Sequence, residues 1–172
     1  MKTLDKKGKI LCVLTSIPVL AIMCVIFYFS SQTADASNAT SGGFVEIAMG
    51  YVSRFLGDIS AEAYAHIEHT VTFIIRKSAH FLEFAALGFF LMIHLSTYVK
   101  KRPWLISWVI AALYACSDEI HQNFVSERAM RFTDVCVDSS GAFFGILAVC
   151  ILILIIRKIK LRRGELCKNE KA

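Results

Sequence analysis

Long apolar blocks constrain the fold of this chain more than any other feature of its sequence. Four segments, each of roughly twenty mostly apolar residues, are long enough for helices that cross a lipid bilayer. They cover residues 10–29, 81–99, 104–123 and 135–156. The chain is 56% hydrophobic and 19% charged, whereas soluble domains average about 25% charged residues. The sequence therefore predicts an all-α membrane protein, a bundle of four transmembrane helices, and excludes disordered and disulfide-rich chains.

Basic residues are concentrated on one side of the four predicted spans. Fourteen of the 19 Lys and Arg residues precede the first span, separate the second from the third, or follow the fourth, and only three of the 14 acidic residues join them. The overall charge of +5 thus divides into +11 on this side and −6 on the other. Because positively charged loops stay in the cytoplasm, both termini are predicted to be cytoplasmic. The chain is expected to be one membrane domain, 1–172, with a basic cytoplasmic tail over 157–172, and not a nucleic-acid-binding protein.

The first span is interpreted as a retained anchor. A cleaved signal peptide with a processing site at 34–36 is the alternative, but the apolar run exceeds the roughly 7–15 residues of a signal peptide. The outer segment 30–77 is predicted to begin as a loop through Gly43. Apolar residues at helical spacing then predict a short amphipathic helix over 44–56 that lies on the outer membrane surface or caps the bundle. A second helix is predicted to begin after Ser60 and to continue into the second span.

Polar residues of three predicted spans fall at the same depth, near the outer ends of the helices. Since a helix rises about 1.5 Å per residue, the acidic residues of these spans all lie in the outer leaflet or its interface. Within each helix the polar residues are three or four positions apart and share a face. The predicted polar cluster consists of Arg76, Lys77, His80, Glu83, Asp118, Glu119, His121, Gln122, Arg128, Asp134 and Asp138. Gly141 and Gly145 continue the last stripe and predict close packing against another helix.

Several interpretations of this cluster stay open. Its members could be hydrogen-bonded pairs that fix helix register, or they could bind a zwitterionic or anionic ligand, relay protons or carry out acid–base chemistry. The candidates for catalysis are His80, His121, Glu83 and Asp118, with a histidine as base and a carboxylate as its partner. No metal or other cofactor is expected, because Asp118 to His121 lacks the His-Glu-x-x-His zinc spacing and the ligands would come from three helices.

The spacing of these residues resembles that of the VanZ-like family of bacterial membrane proteins. The resemblance is carried by Arg76-Lys77-x-x-His80-Phe81-x-Glu83-Phe84, by Asp118-Glu119-x-His121-Gln122-x-Phe124-Val125-x-x-Arg128 and by Asp134-Val135-x-x-Asp138-x-x-Gly141-x-x-x-Gly145. The exit from the first span, Tyr28-Phe29-Ser30-Ser31-Gln32, is also similar. The match covers most of the chain. One departure is that Ser126-Glu127 precede Arg128, where the family commonly has Pro-Gly.

The resemblance implies a multi-pass protein of the bacterial plasma membrane with a role in the cell envelope. The family's founding member is associated with low-level resistance to teicoplanin, a lipoglycopeptide-type antibiotic that acts outside the plasma membrane on cell-wall precursors. The expectation is a non-enzymatic protein whose outward-facing cluster binds or shields an amphiphilic ligand. Membrane lipids, a lipid-linked cell-wall precursor or a glycopeptide are the expected partners. The alternatives are a membrane-embedded enzyme acting on an envelope lipid or cell-wall precursor, and a small transporter.

Overall fold

Helices make up all the regular structure in the residues that the computed structural model describes, which are 6–57, 59–125 and 130–169. In chain order these helices are α1 (Lys6–Ser30), α2 (Ala34–Leu56), α3 (Ala61–Ser96), α4 (Pro103–Gln122) and α5 (Phe132–Asn169). The predicted all-α architecture is therefore confirmed.

Three helices of the described chain are long and apolar enough to cross a bilayer. They are α1, α3 and the part of α5 that ends at Arg163. The segment predicted as the third span forms α4, which is 20 residues long but is not among the three. Its last two turns carry Asp118, Glu119 and His121, and these polar residues lower the hydropathy of an otherwise apolar helix.

The segment between the first two predicted spans differs from its prediction. The expected loop through Gly43 is wrong, because α2 already begins at Ala34. Thr33 caps the helix, and its hydroxyl oxygen accepts a hydrogen bond from the Ala36 backbone N–H at 3.3 Å, a contact that satisfies an otherwise unpaired donor. Asp35 in the first turn interacts favourably with the positive end of the helix dipole. These two signals outweigh the poor helix propensity of the serines and glycines that suggested a loop.

The chain then turns back on itself to form an antiparallel helical hairpin. Gly57 ends α2 with a φ of 66°, a left-handed conformation that glycine adopts without strain. Ser60 caps α3, accepting a hydrogen bond from the Ala63 N–H at 3.2 Å. The predicted helix after Ser60 that continues into the second span is confirmed as α3. α2 packs against α3, and the α3 residues that line a surface pocket with it, from Tyr64 to Thr72, lie in the first half of that helix. The buried residues of α3 begin at Phe84, in its second half.

The second half of α3 is the centre of the bundle and contacts α1, α4 and α5. Its Phe84, Leu87 and Leu91 are buried in a core that all four helices share. The contact between α3 and α5 is the most extensive, and it depends on glycine. An added Cβ at Gly88, Gly141 or Gly145 would collide with the backbone of the facing helix. The small residues therefore let the two backbones approach closely, as they do in membrane helix pairs.

Candidate functional site

The polar residues of the bundle converge where four helix segments meet. These segments are the end of α1, the middle of α3, the end of α4 and the start of α5. The buried polar side chains at this position are Ser30, Asp118, Glu119, Gln122 and Asp138. Together with the half-buried His80 and Glu83, we call them the inner cluster. Asp118 is 4% exposed and Asp138 is 2% exposed. These carboxylates therefore lie in the protein interior and not on a lipid-facing surface.

Asp118 is held in place by hydrogen bonds from two helices. Its Oδ2 accepts a hydrogen bond from the Ser30 hydroxyl at 2.8 Å and another from the Gln122 side-chain amide at 2.8 Å. The same amide lies 3.4 Å from the Ser30 hydroxyl, so the three groups form a closed triangle. Hydrogen bonds to a carboxylate are stronger than those between neutral groups. The orientation of the Asp118 carboxylate is consequently set by α1 and α4 together.

An imidazole and two further carboxylates lie close to the Asp118 member of this triangle. His80, Asp118 and Asp138 each contribute an atom with metal-ligand character, and these atoms all lie within 4.8 Å of one another. His80 Nδ1 is also 3.5 Å from Glu83 Oε2, which is an ion-pair distance when the imidazole is protonated. The arrangement can hold a proton, a cation or a cationic part of a ligand.

Charged residues at the edge of the inner cluster tie the start of α5 to α3 and α4. Lys77 forms an ion pair with Asp134, which joins α3 to α5. The Glu119 carboxylate accepts a hydrogen bond from the Arg131 backbone N–H at 3.0 Å, which joins the end of α4 to the chain just before α5. Another cation of the predicted cluster, Arg128, lies outside the described residues.

Two residues of the predicted cluster have their contacts elsewhere. Arg76 reaches toward α2, where its Nη1 is 3.4 Å from Asn38 Oδ1. His121 stacks on Phe27 with a ring-centroid distance of 4.6 Å, and its Nε2 is 3.2 Å from the Ser31 hydroxyl. Among the two histidines proposed as bases, His80 is therefore the one that the structure places with Asp118 and Asp138, whereas His121 packs on the end of α1.

A partly open cleft of about 210 Å³ leads from the surface to the inner cluster. It lies between the end of α1, the first half of α2 and the middle of α3. Its walls combine apolar groups with a few polar ones, and they consist of Phe29, Gln32, Ser37, Thr40, Ser41, Phe44, Ile75, Arg76, Ala79, His80 and Glu83. His80 and Glu83 belong to both the cleft and the inner cluster, so a molecule in the cleft would contact the cluster directly.

Sequence reasoning missed two parts of this site. Ser30 is fully buried and bonded to Asp118, but a single hydroxyl at the end of an apolar block has no spacing pattern of its own. The only available signal was its place in the Tyr28–Gln32 motif that carries the family resemblance. The wall that α2 contributes to the cleft was also missed, because this stretch was expected to be a loop.

Comparison with known proteins gives one match. The family model described as VanZ/LLP1 matches residues 15–155, a range that includes the inner cluster, the cleft and the glycines between α3 and α5. No curated protein and no solved structure matches the chain.

Proposed function

Since the chain belongs to the VanZ/LLP1 family, we propose that it is a bacterial plasma-membrane protein that binds an amphiphilic component of the cell envelope. In this proposal α1, the second half of α3, α4 and α5 cross the membrane, and both termini are cytoplasmic. The basic residues on one side of these helices support the orientation. The hairpin of α2 and the first half of α3 then lies on the extracytoplasmic side, together with the inner cluster.

The burial of its polar residues supports α4 as the fourth span. Asp118, Glu119 and Gln122 would be costly in lipid, but all three are buried against the other helices. At the opposite end, Pro103 occupies the first turn of α4, where proline is well tolerated. Trp104 and Trp108 follow and are partly exposed, as expected of aromatic residues at a membrane interface. A helix whose polar residues are buried in this way can cross a bilayer although its hydropathy is lower than that of α1, α3 and α5.

The cleft between α1, α2 and α3 is the observation that carries the proposal. Phe29, Phe44 and Ile75 provide an apolar wall for a hydrocarbon chain. Arg76 and the hydroxyls of α2 offer a cation and hydrogen bonds to an anionic head group. Ligand sites typically combine a mostly apolar lining with a few convergent polar groups. A lipid or a lipid-linked cell-wall precursor has both parts, and a free sugar or ion has only the polar one.

Binding of such a ligand would connect this protein to antibiotic action. Teicoplanin-type glycopeptides act on cell-wall precursors at the outer face of the plasma membrane, which is the face to which the proposal assigns the cleft. A protein that shields a lipid-linked precursor there would lower the sensitivity of the cell to these antibiotics.

A membrane-embedded enzyme is the second candidate function. It is favoured by the position of His80 close to the carboxylates of Glu83, Asp118 and Asp138. A histidine next to a carboxylate is a suitable general base. In this case His80 would abstract or deliver a proton on a lipid bound in the cleft, and the lipid would be chemically changed.

A variant that fills the cleft tests the proposal. Ala79 lines the cleft and is exposed, so Ala79→Trp blocks the cavity without disturbing the core. Ala39→Trp, on an exposed position of α2 outside the cleft, is the matched control. Each variant, and His80→Gln, is produced in a teicoplanin-sensitive bacterial host. Teicoplanin susceptibility and the lipid extract of the cells are measured, and the amount of inserted protein is checked by immunoblot.

The two functions predict different results. Ligand binding predicts that the wild type and Ala39→Trp reduce teicoplanin sensitivity, that Ala79→Trp does not, and that the lipid species stay the same. Enzymatic action predicts a new or missing lipid that depends on His80. If the wild type changes neither susceptibility nor lipids at normal levels of insertion, both functions are refuted.

A further inference from the structure

We propose that His80, Asp118 and Asp138 bind a divalent cation of the Zn²⁺ or Mn²⁺ class. The sequence predicts no metal site, because its histidines and carboxylates lack a local ligand motif. The fold changes this conclusion, since it brings one residue from each of α3, α4 and α5 to within 4.8 Å at their ligand atoms. Ligands from three separate helices are common in metal sites built inside helical bundles.

The chemistry of these side chains selects the class of cation. Zn²⁺ binds imidazole nitrogen and carboxylate oxygen at about 2.0–2.2 Å, so tetrahedral ligands lie roughly 3.4 Å apart. The ligand atoms lie within 4.8 Å of one another in the structure, so metal binding would require them to move closer by at most about 1.4 Å. A mixed set of imidazole and carboxylate ligands suits Zn²⁺ and Mn²⁺, whereas Ca²⁺ and Mg²⁺ prefer oxygen ligands alone.

The burial of Asp138 is an independent observation that points to a ligand. Its side chain is 98% buried, since the residue is only 2% exposed, and it is directed toward His80 and Asp118. Next to this group, Glu83 Oε2 is buried and has no hydrogen-bond partner among the described residues. The ammonium group of Lys77 is close enough to attract the Asp138 carboxylate, but it forms its ion pair with Asp134. Buried charges in proteins are usually paired with another charge or coordinate a metal, and a cation at this position would satisfy the Asp138 carboxylate.

The groups around the three ligands are those that a metal site requires. One oxygen of Asp118 accepts the hydrogen bonds from Ser30 and Gln122, which orients the carboxylate. Glu83 lies 3.5 Å from Nδ1 of His80. With the metal on Nε2, a carboxylate at Nδ1 would fix the ring and increase its basicity, as is typical of metal-ligating histidines. The site does not depend on occupancy of the cleft, so its existence is separate from the proposed binding of an amphiphile.

Metal analysis of the purified full-length protein tests the inference. The protein, in detergent micelles and freed of any affinity tag, is stripped with a chelator and titrated with ZnCl₂ or MnCl₂. The amount of bound metal per chain is measured by inductively coupled plasma mass spectrometry. The test variants are Asp138→Asn and His80→Gln, and the control is Glu46→Gln, which removes an exposed carboxylate of α2 outside the cluster. Circular dichroism shows whether each variant is folded.

One tightly bound Zn²⁺ or Mn²⁺ per chain is expected for the wild type and for Glu46→Gln. Asp138→Asn and His80→Gln should bind at least about a hundredfold more weakly, and Glu83→Gln about 10–100-fold more weakly, since partners behind a ligand have effects of this size. The inference is overturned if the folded wild type binds no more metal than Asp138→Asn. It is equally overturned if Glu46→Gln loses as much metal as Asp138→Asn, because binding would then be to surface carboxylates in general.

Discussion

Substitution of Gly145 by alanine is expected to push α3 and α5 apart and to destabilise the protein by about 2 kcal/mol. A Cβ at this position would lie 2.8 Å from the carbonyl carbon of Ala85 and 2.9 Å from the backbone nitrogen of Phe89. Carbon atoms in ordinary contact are about 3.5–4.0 Å apart, and the Cβ would lie closer still to the Ala85 carbonyl oxygen. The helices must therefore separate by more than about 0.7 Å. Since the clash is with backbone, rotation of a side chain cannot relieve it.

Two opposing effects determine the magnitude. Extra atoms in a well-packed core typically cost about 1–3 kcal/mol, and a clash with an immobile backbone lies at the upper end of this range. Alanine has a better helix propensity than glycine by about 1 kcal/mol, which offsets part of the loss. The net destabilisation is therefore about 2 kcal/mol. The separation would also move Asp138, two turns before Gly145, away from His80.

Gly50→Ala is the matched control for this prediction. Gly50 lies inside α2, and a Cβ there would have no atom within 4 Å. The gain in helix propensity should then act alone and stabilise the protein by about 0.5–1 kcal/mol. The free energy of unfolding is measured in mixed micelles by titration with a denaturing detergent and far-UV circular dichroism. If Gly145→Ala is as stable as Gly50→Ala, the close approach of α3 and α5 is not part of the structure.

Three further predictions use the contacts of the cluster and the topology. Ser30→Ala should destabilise the protein by about 1–3 kcal/mol in the same titration, because the buried Asp118 carboxylate loses a hydrogen bond; an unchanged free energy would contradict this contact. Lys77→Met should destabilise the protein by about 1 kcal/mol, since the ion pair of Lys77 with Asp134 is partly exposed. The double variant Lys77→Met/Asp134→Leu should recover this loss. A double variant as unstable as the single one would argue against the ion pair. In intact cells, a membrane-impermeant thiol reagent should label Ala39→Cys above the background of the wild type and leave Lys100→Cys unlabelled, whereas the opposite pattern would reverse the topology.

The helices of this protein were predictable to the extent that local patterns determine them. Apolar blocks of bilayer length predicted the bodies of α1, the second half of α3 and α5, and the cap at Ser60 predicted where α3 begins. The start of α2 was not predicted, because Ser, Thr and Gly favour loops when a cap is not recognised. Thr33 with Asp35 is a recognisable N-terminal signal, so this error came from giving composition more weight than capping.

Most of the buried polar residues of the site were predictable, but Ser30, the α2 wall of the cleft and the pairings between residues were not. The depth and spacing of polar residues selected His80, Asp118 and Asp138 as parts of one cluster. Which of them approach each other depends on the distance between α3 and α5. That distance is set by contacts between helices, which a single sequence does not encode locally. For the same reason the sequence could not distinguish His80, which faces the carboxylates, from His121, which stacks on Phe27.

The amount of lipid retained by the purified protein tests the proposed ligand-binding cleft most directly. Native mass spectrometry of wild type, Ala79→Trp and Ala39→Trp, released from mild detergent, counts the lipid molecules bound to each chain. The account predicts about one retained amphiphile per chain of wild type and of Ala39→Trp, and a loss of this molecule in Ala79→Trp, where the indole occupies the cleft. Equal retention in all three proteins, or none in the wild type, would contradict the account.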